Sequence, residues 1–195
     1  MDGWRDNGWT GGQYSLWRAM LGLLILGLSI CQLAGGDGDI GTLVLAGTAL
    51  LLSVVVVIGW FDGPAAALLA TVTVGLVVQD TDLSGRLWPL IATLLLHAVA
   101  PGAPFGTIMA RGRIDPDGGW RLPGWLYLGA WMVLLVATVL TVFDPHPDGT
   151  AWTSWAKRVG VVTATILASS SRTRRLAWIV VALIWAGVIL TDTPG

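Results

Sequence analysis

Seven stretches without a charged residue alternate with short polar segments along this chain. They are 19–36, 40–61, 63–79, 87–110, 122–143, 159–171 and 176–191. A helix rises about 1.5 Å per residue, so about 20 residues are needed to cross a hydrocarbon core about 30 Å thick. The pattern predicts an all-α fold: a polytopic transmembrane helical bundle of about seven membrane segments, forming a single domain over 17–195.

The seven stretches differ in length, and only three are long enough to cross outright. These three are 19–36, 40–61 and 122–143. The stretch 87–110 is interrupted at Pro101, so we expect its helix to end near Ala100. Short segments must stand upright, thin the bilayer or enter it without crossing. The pair 64–79 and 86–100 therefore also fits a shallow re-entrant V, and such a pair leaves the sidedness of the other segments unchanged.

Composition supports the membrane assignment and excludes several classes of protein. Hydrophobic residues make up 54% of the chain and charged residues 12%, whereas soluble proteins carry about 25% charged residues. The lipid bilayer is therefore the first predicted partner. A net charge of −1 excludes nucleic acid as a partner, because nucleic-acid binding needs a basic face. The single cysteine, Cys31, excludes an internal disulfide.

The positions of the cationic residues predict the orientation. Segments on the same side as the N-terminus hold Arg5, Arg18, Arg111, Arg113, Arg121, Arg172, Arg174 and Arg175, and the opposite segments hold Arg86, Lys157 and Arg158. Cytoplasmic loops carry the excess of Lys and Arg. For a protein of a bacterial inner membrane, this predicts a cytoplasmic N-terminus and an extracytoplasmic C-terminus. Residues 1–16, rich in Trp, Gly and Asp, are expected to lie along the cytoplasmic interface.

One membrane-embedded histidine and one arginine cluster are the first candidate site. His97 is the only ionisable side chain well inside an apolar stretch, and ionisable groups within membranes are often functional. Arg111, Arg113 and Arg121 follow in a loop with several prolines and glycines. Their guanidinium groups suit a lipid headgroup, a phosphate or the polar end of a quinone. A structural histidine and a positive-inside anchor explain the same residues.

A second candidate lies in a predicted outer loop, where an imidazole stands between two carboxylates. Asp144, His146 and Asp148 alternate with prolines. Carboxylate and imidazole ligands suit a divalent cation. Asp-Pro and Pro-Asp-Gly are also common in turns, so a plain turn remains the alternative to a metal site.

Several short motifs resemble a known group of bacterial membrane proteins. They are Gly11–Arg18, the hairpin around Gly59–Ala67, Leu94–His97, Pro101, Ala103–Gly106, Ala110–Arg113 and Trp120. In these the chain resembles HTTM-type proteins, the horizontally transferred transmembrane domain related to vitamin K-dependent γ-carboxylase, and their smaller DoxX-like relatives. The resemblance implies a helical bundle with a quinone- or lipid-sized cleft. The carboxylase-type enzymes use a lysine as the base. The resemblance transfers no catalytic residue, because the only lysine of this chain, Lys157, stands in no matching context.

The sequence predicts a non-catalytic role more readily than an enzymatic one. With few ionisable groups in its apolar stretches, the chain is expected to be an accessory or scaffold subunit of a larger inner-membrane complex with membrane-protein partners. Small residues on the helices would allow close packing with neighbours. The alternative is a quinone- or lipid-binding oxidoreductase or carboxylase-like enzyme subunit, with quinone or lipid as the bound cofactor. A small transporter is the third possibility.

Overall fold

The structure is a computed structural model that describes residues 9–35, 39–79, 84–102, 106–110, 120–142, 151–169 and 180. Within those residues the regular structure is helical throughout, which agrees with the all-α prediction. The helices are α1 (Gly11–Gly35), α2 (Ile40–Ile58), α3 (Asp62–Gln79), α4 (Ser84–Ala98), α5 (Gly124–Val142) and α6 (Ala151–Ser169), with a single 3₁₀ turn at Ile108–Ala110.

Three of the described helices are long and apolar enough to cross a membrane. They are α1, α2 and α3, with 25, 19 and 18 residues. At about 1.5 Å per residue, even α3 is about 27 Å long. The apolar parts of α4, α5 and α6 are shorter: Leu87–Ala98, Gly124–Val139 and Arg158–Leu167. The described part of the chain is thus helical and compatible with a membrane protein, and the number of seven segments stays a prediction. The last predicted segment, 176–191, lies outside the described residues apart from Val180.

Helix α1 begins with a reciprocal cap and buries one regular stripe. The Gln13 backbone N–H donates to the Thr10 hydroxyl, and the Thr10 N–H donates to Gln13 Oε1, which is the capping-box arrangement. The last six residues of the predicted interfacial segment 1–16 therefore form the first turns of α1. Every third or fourth residue along α1 is then buried: Tyr14, Arg18, Leu21, Ile25 and Leu28. The stripe has helical spacing, and a charged residue occupies its second position.

A tight turn joins α2 to α3. Gly59 caps α2 in the left-handed conformation, with φ of 69° and ψ of 43°, and the Trp60 N–H donates to the Val55 carbonyl at 3.1 Å. This is the usual glycine-terminated helix end. Phe61 also has a positive φ of 51°, and α3 starts at the next residue, Asp62. The turn thus places a carboxylate at the N-terminus of a helix, where the helix dipole favours negative charge.

Consecutive helices pack against one another from α1 to α6, with a smaller contact between α1 and α4. The larger core lies among α1–α4 and is built mainly from leucine and alanine, including Leu21, Ala49, Leu69 and Leu94. A second cluster joins Trp9 and the start of α1 to α5. Adjacent helices run in opposite directions, so α1, α3 and α5 begin at the end of the bundle where α2 and α4 finish.

Gly22 allows the close approach of α1 and α2, as the sequence predicts for small residues on the helices, whereas the same prediction fails for Gly47. A Cβ added at Gly22 would lie 2.6 Å from Val57 Cγ2 and 3.0 Å from the Ser53 carbonyl oxygen, whereas one added at Gly47 would meet nothing within 4 Å. Gly22→Ala should therefore lower the thermal unfolding temperature in mild detergent, because overpacking costs about 1–3 kcal/mol. Gly47→Ala is the matched control and should leave it unchanged or raise it slightly. Equal behaviour of the two variants would contradict this packing.

Candidate functional site

Four polar side chains from three helices meet at one end of the bundle. Tyr14 and Arg18 come from the first turns of α1, Asp62 from the start of α3 and His97 from the last turn of α4. We call Tyr14, Arg18, Asp62 and His97 the polar cluster. The start of α3 reaches the end of α4 because Gly63 has no side chain: a Cβ there would lie 2.8 Å from the Ala98 carbonyl oxygen. This approach brings Asp62 next to His97.

Arg18 is the centre of the polar cluster. It is 1% exposed. Its Nη1 lies 3.2 Å from Asp62 Oδ2, and its Nη2 donates to the carbonyls of Val57 at 3.3 Å and Gly106 at 2.7 Å. One guanidinium thus joins α1 to the end of α2, the start of α3 and the loop after α4. Its planar set of donors suits several acceptors at once.

His97 contacts two members of the polar cluster through its two ring nitrogens. Nδ1 is hydrogen-bonded to the Tyr14 hydroxyl, and the two rings are stacked with centroids 5.2 Å apart. Nε2 lies 4.0 Å from Asp62 Oδ1, which is too far for a direct hydrogen bond. Among the described residues, buried Nε2 has no hydrogen-bond partner. His97 itself is 5% exposed.

Burial makes this cluster energetically unusual. Transferring one ion from water into the protein interior costs several kcal/mol of free energy, even after the protein relaxes around it. Here the Arg18–Asp62 attraction, two backbone carbonyls and the start of α3 offset that penalty. Ionisable groups that are buried and paired in this way are often found at functional sites. The sequence alone suggests that His97 stands apart from other ionisable groups, and the structure instead places it beside Asp62 and Arg18.

A mainly apolar cleft opens beside the polar cluster. The space inside it that the centre of a water-sized sphere can occupy is about 40 Å³, and it is lined by Trp9, Tyr14, Trp17, Thr93, Leu96, His97, Ala100, Leu122, Leu126, Tyr127 and Ala130. Ligand clefts in proteins are mostly apolar, with a few polar groups that fix the orientation of the ligand. Tyr14 and His97 belong both to the cleft and to the polar cluster. The centroid of the Trp120 ring lies 5.0 Å from that of the Tyr14 ring, and the two ring planes are tilted by 37°.

The structure describes only some of the residues predicted to form sites. His97 lies in the polar cluster and lines the cleft, whereas Arg121 is exposed just before α5. The other candidates lie outside the described residues, namely Arg111, Arg113, Asp144, His146 and Asp148. Within the described residues, no three His, Cys, Asp or Glu side chains are grouped so that they could hold a metal ion. The proposed cation site in the outer loop therefore stays a prediction.

The sequence interpretation misses three of the four members of the polar cluster. It assigns Arg18 to the positive-inside charge and Tyr14 to the interfacial segment, and it leaves Asp62 between two apolar stretches. For Arg18, a signal is present: it falls on the same helical face as Tyr14, Leu21 and Ile25. For Asp62 the partner could not be read from spacing, since it lies 44 residues from Arg18.

Comparison of this chain with models of known protein families, with curated proteins and with solved structures found no match. The resemblance to HTTM-type and DoxX-like proteins therefore stays a prediction. Conclusions about function depend on the geometry of the polar cluster and the cleft.

Proposed function

We propose that this protein binds a lipophilic ring compound in the cleft beside the polar cluster. The observation that supports this most directly is the pairing of an apolar, aromatic-lined cleft with a buried Tyr14–His97 hydrogen bond. The proposal takes up the quinone- or lipid-binding alternative of the sequence analysis. It assigns binding and makes no claim of a catalysed reaction.

The chemistry of the lining favours a neutral ligand. No lysine, arginine, aspartate or glutamate is among the described lining residues, and Arg18 nearby is occupied by Asp62 and two carbonyls. An anionic headgroup would therefore find no cation among the described residues that line the cleft. Aromatic side chains such as Trp9 and Trp17 offer flat surfaces for a ring. The Tyr14–His97 pair offers one directional polar contact.

The position of the cleft suits a ligand that arrives from the bilayer. The cleft lies where α1 and α5 begin and α4 ends, so it is at the end of the bundle and not at its middle. Trp60 and Phe61 are exposed at the same end, and exposed aromatic residues are typical of the headgroup region. With the orientation predicted from the cationic residues, the cleft would face the cytoplasmic leaflet of a bacterial inner membrane.

Filling the cleft tests the proposal. Ala130 lines the cleft, and Ala130→Leu adds three carbon atoms there. Ala34 is exposed near the far end of α1, so Ala34→Leu is a matched control. Titration calorimetry of the protein in mild detergent with 1-naphthol should show saturable binding. We expect Ala130→Leu to weaken that binding at least about tenfold, equivalent to about 1.4 kcal/mol, and Ala34→Leu to leave it unchanged.

Two outcomes would contradict the proposal: no saturable binding to the wild-type protein, or equal weakening by both substitutions.

The predicted role as an accessory subunit is a separate question. Its main premise is the scarcity of ionisable groups within the apolar stretches. Purification with a stoichiometric partner protein would support that role without deciding whether the cleft binds a ligand.

A further inference from the structure

We infer that the Tyr14 oxygen acts as a hydrogen-bond acceptor toward the cleft, so that the cleft selects a ring compound carrying a hydroxyl group over one lacking it. The inference rests on the proposed function, because it specifies the ligand of the same cleft. It follows from a chain of contacts that runs from Arg18 to Asp62, from Asp62 to His97 and from His97 to Tyr14.

The first step concerns which ring nitrogen of His97 carries the proton. A neutral imidazole has one N–H and one bare nitrogen. Nε2 faces Asp62 Oδ1 at 4.0 Å and is buried without a hydrogen-bond partner among the described residues. A bare lone pair there would face a carboxylate oxygen across a buried gap, which is repulsive, whereas an N–H there is attracted. The carboxylate therefore favours the proton on Nε2.

Arg18 does not reverse this preference. Its Nη1 is closer to Asp62 Oδ2, at 3.2 Å, than to Oδ1, at 3.5 Å. The oxygen that faces His97 is therefore the one less engaged by the guanidinium. Arg18 also fixes the carboxylate in place through its bonds to the Val57 and Gly106 carbonyls. Arg18 and Asp62 thus act as positioning residues for the imidazole, as carboxylates do for histidines that need one defined tautomer.

The second step fixes the direction of the hydrogen bond between His97 and Tyr14. With the proton on Nε2, Nδ1 is bare and can only accept. The Tyr14 hydroxyl must then donate its one hydrogen to Nδ1. Its oxygen keeps lone pairs, and no second hydrogen bond to that hydroxyl is formed by the described residues. A ligand that meets this oxygen must therefore bring a donor, and a neutral lipophile most simply does so with a hydroxyl group.

The tautomer can be measured without any ligand. The chain has two histidines, so His146→Gln leaves His97 as the source of every imidazole signal. In protein labelled with ¹⁵N-histidine, two-bond proton–nitrogen correlation spectra at pH 7 should show protonated Nε2 and bare Nδ1. A proton on Nδ1, whether in the other tautomer or in an imidazolium, would overturn the inference.

The ligand preference is tested with two probes of equal ring size, 1-naphthol and 1-methoxynaphthalene. By calorimetry in mild detergent at pH 7, wild-type protein should bind the naphthol about tenfold or more tightly than the ether, since only the naphthol can donate. Tyr14→Phe should reduce that ratio to less than about twofold while the ether still binds. Equal binding of both probes to wild type would overturn the inference alone. Failure to bind either the naphthol or the ether would overturn the proposed function and the ligand preference together.

Discussion

Asp62→Asn should be among the most destabilising single substitutions in this chain. The asparagine amide would still fill the space, but Arg18, which is 1% exposed, would lose its only carboxylate partner among the described residues. Breaking a buried ion pair by removing one partner typically costs about 3–5 kcal/mol, because the remaining charge is left uncompensated. The measurement is the free energy of unfolding in mixed micelles of mild detergent and dodecyl sulfate.

The same chemical change at an exposed carboxylate is the control. Asp39 caps α2, and its side chain accepts the Thr42 N–H at 2.8 Å. That bond and the Thr42 hydroxyl hold the pKa of Asp39 below its usual value. Asn caps helices about as well as Asp, so Asp39→Asn should leave the free energy of unfolding nearly unchanged. A loss at Asp62 no larger than the loss at Asp39 would contradict the buried ion pair.

A double variant separates the charge from the space that it occupies. Arg18→Met removes the guanidinium and should also destabilise, because it releases the Val57 and Gly106 carbonyls. Combined with Asp62→Asn, it leaves neither ion of the pair, and we expect the double variant to be more stable than the sum of the single losses predicts. Strict additivity would show that Arg18 and Asp62 do not interact as the structure places them.

The helices themselves could be predicted from the sequence because their signals are local. The apolar stretches 40–61 and 63–79 correspond closely to α2 and α3, and the predicted end of the fourth helix near Ala100 agrees with α4, which finishes at Ala98. A proline and a run of hydrophobic residues determine where a helix lies and ends within one or two turns of their own position. The agreement is poorer at α6, which begins at Ala151 and includes Lys157 and Arg158. The sequence prediction places these charges before the segment, but a helix near a membrane surface can carry them.

The site could be predicted only in part because its contacts are not local. His97 is identified by its own environment, an ionisable group among apolar residues. Its partners are not, since Tyr14 lies 83 residues away along the chain, and that contact depends on α1 lying against α4. A single sequence does not specify which helices become neighbours. Arg18 shows the more general limit: cationic residues near helix ends are usually interpreted as anchors, and only its place on the buried stripe of α1 distinguishes it.

Gly59→Ala should disturb the polar cluster through the backbone, and Gly106→Ala shows how much of that effect is crowding. Both glycines have a left-handed φ, 69° and 67°, so alanine at either position costs about 1–2 kcal/mol of conformational strain. A Cβ at Gly106 would lie 3.2 Å from Ser15 Cβ, a contact that a small shift relieves. A Cβ at Gly59 would overlap Arg18 Nη1 and approach Thr107 Cβ to 2.7 Å, and Arg18 cannot withdraw without losing Asp62.

Overpacking adds about 1–3 kcal/mol, so unfolding measurements should show a larger loss for Gly59→Ala, together with weaker naphthol binding. Equal losses would mean that Arg18 is free to move, and the polar cluster would then be too loose to hold His97 in one tautomer.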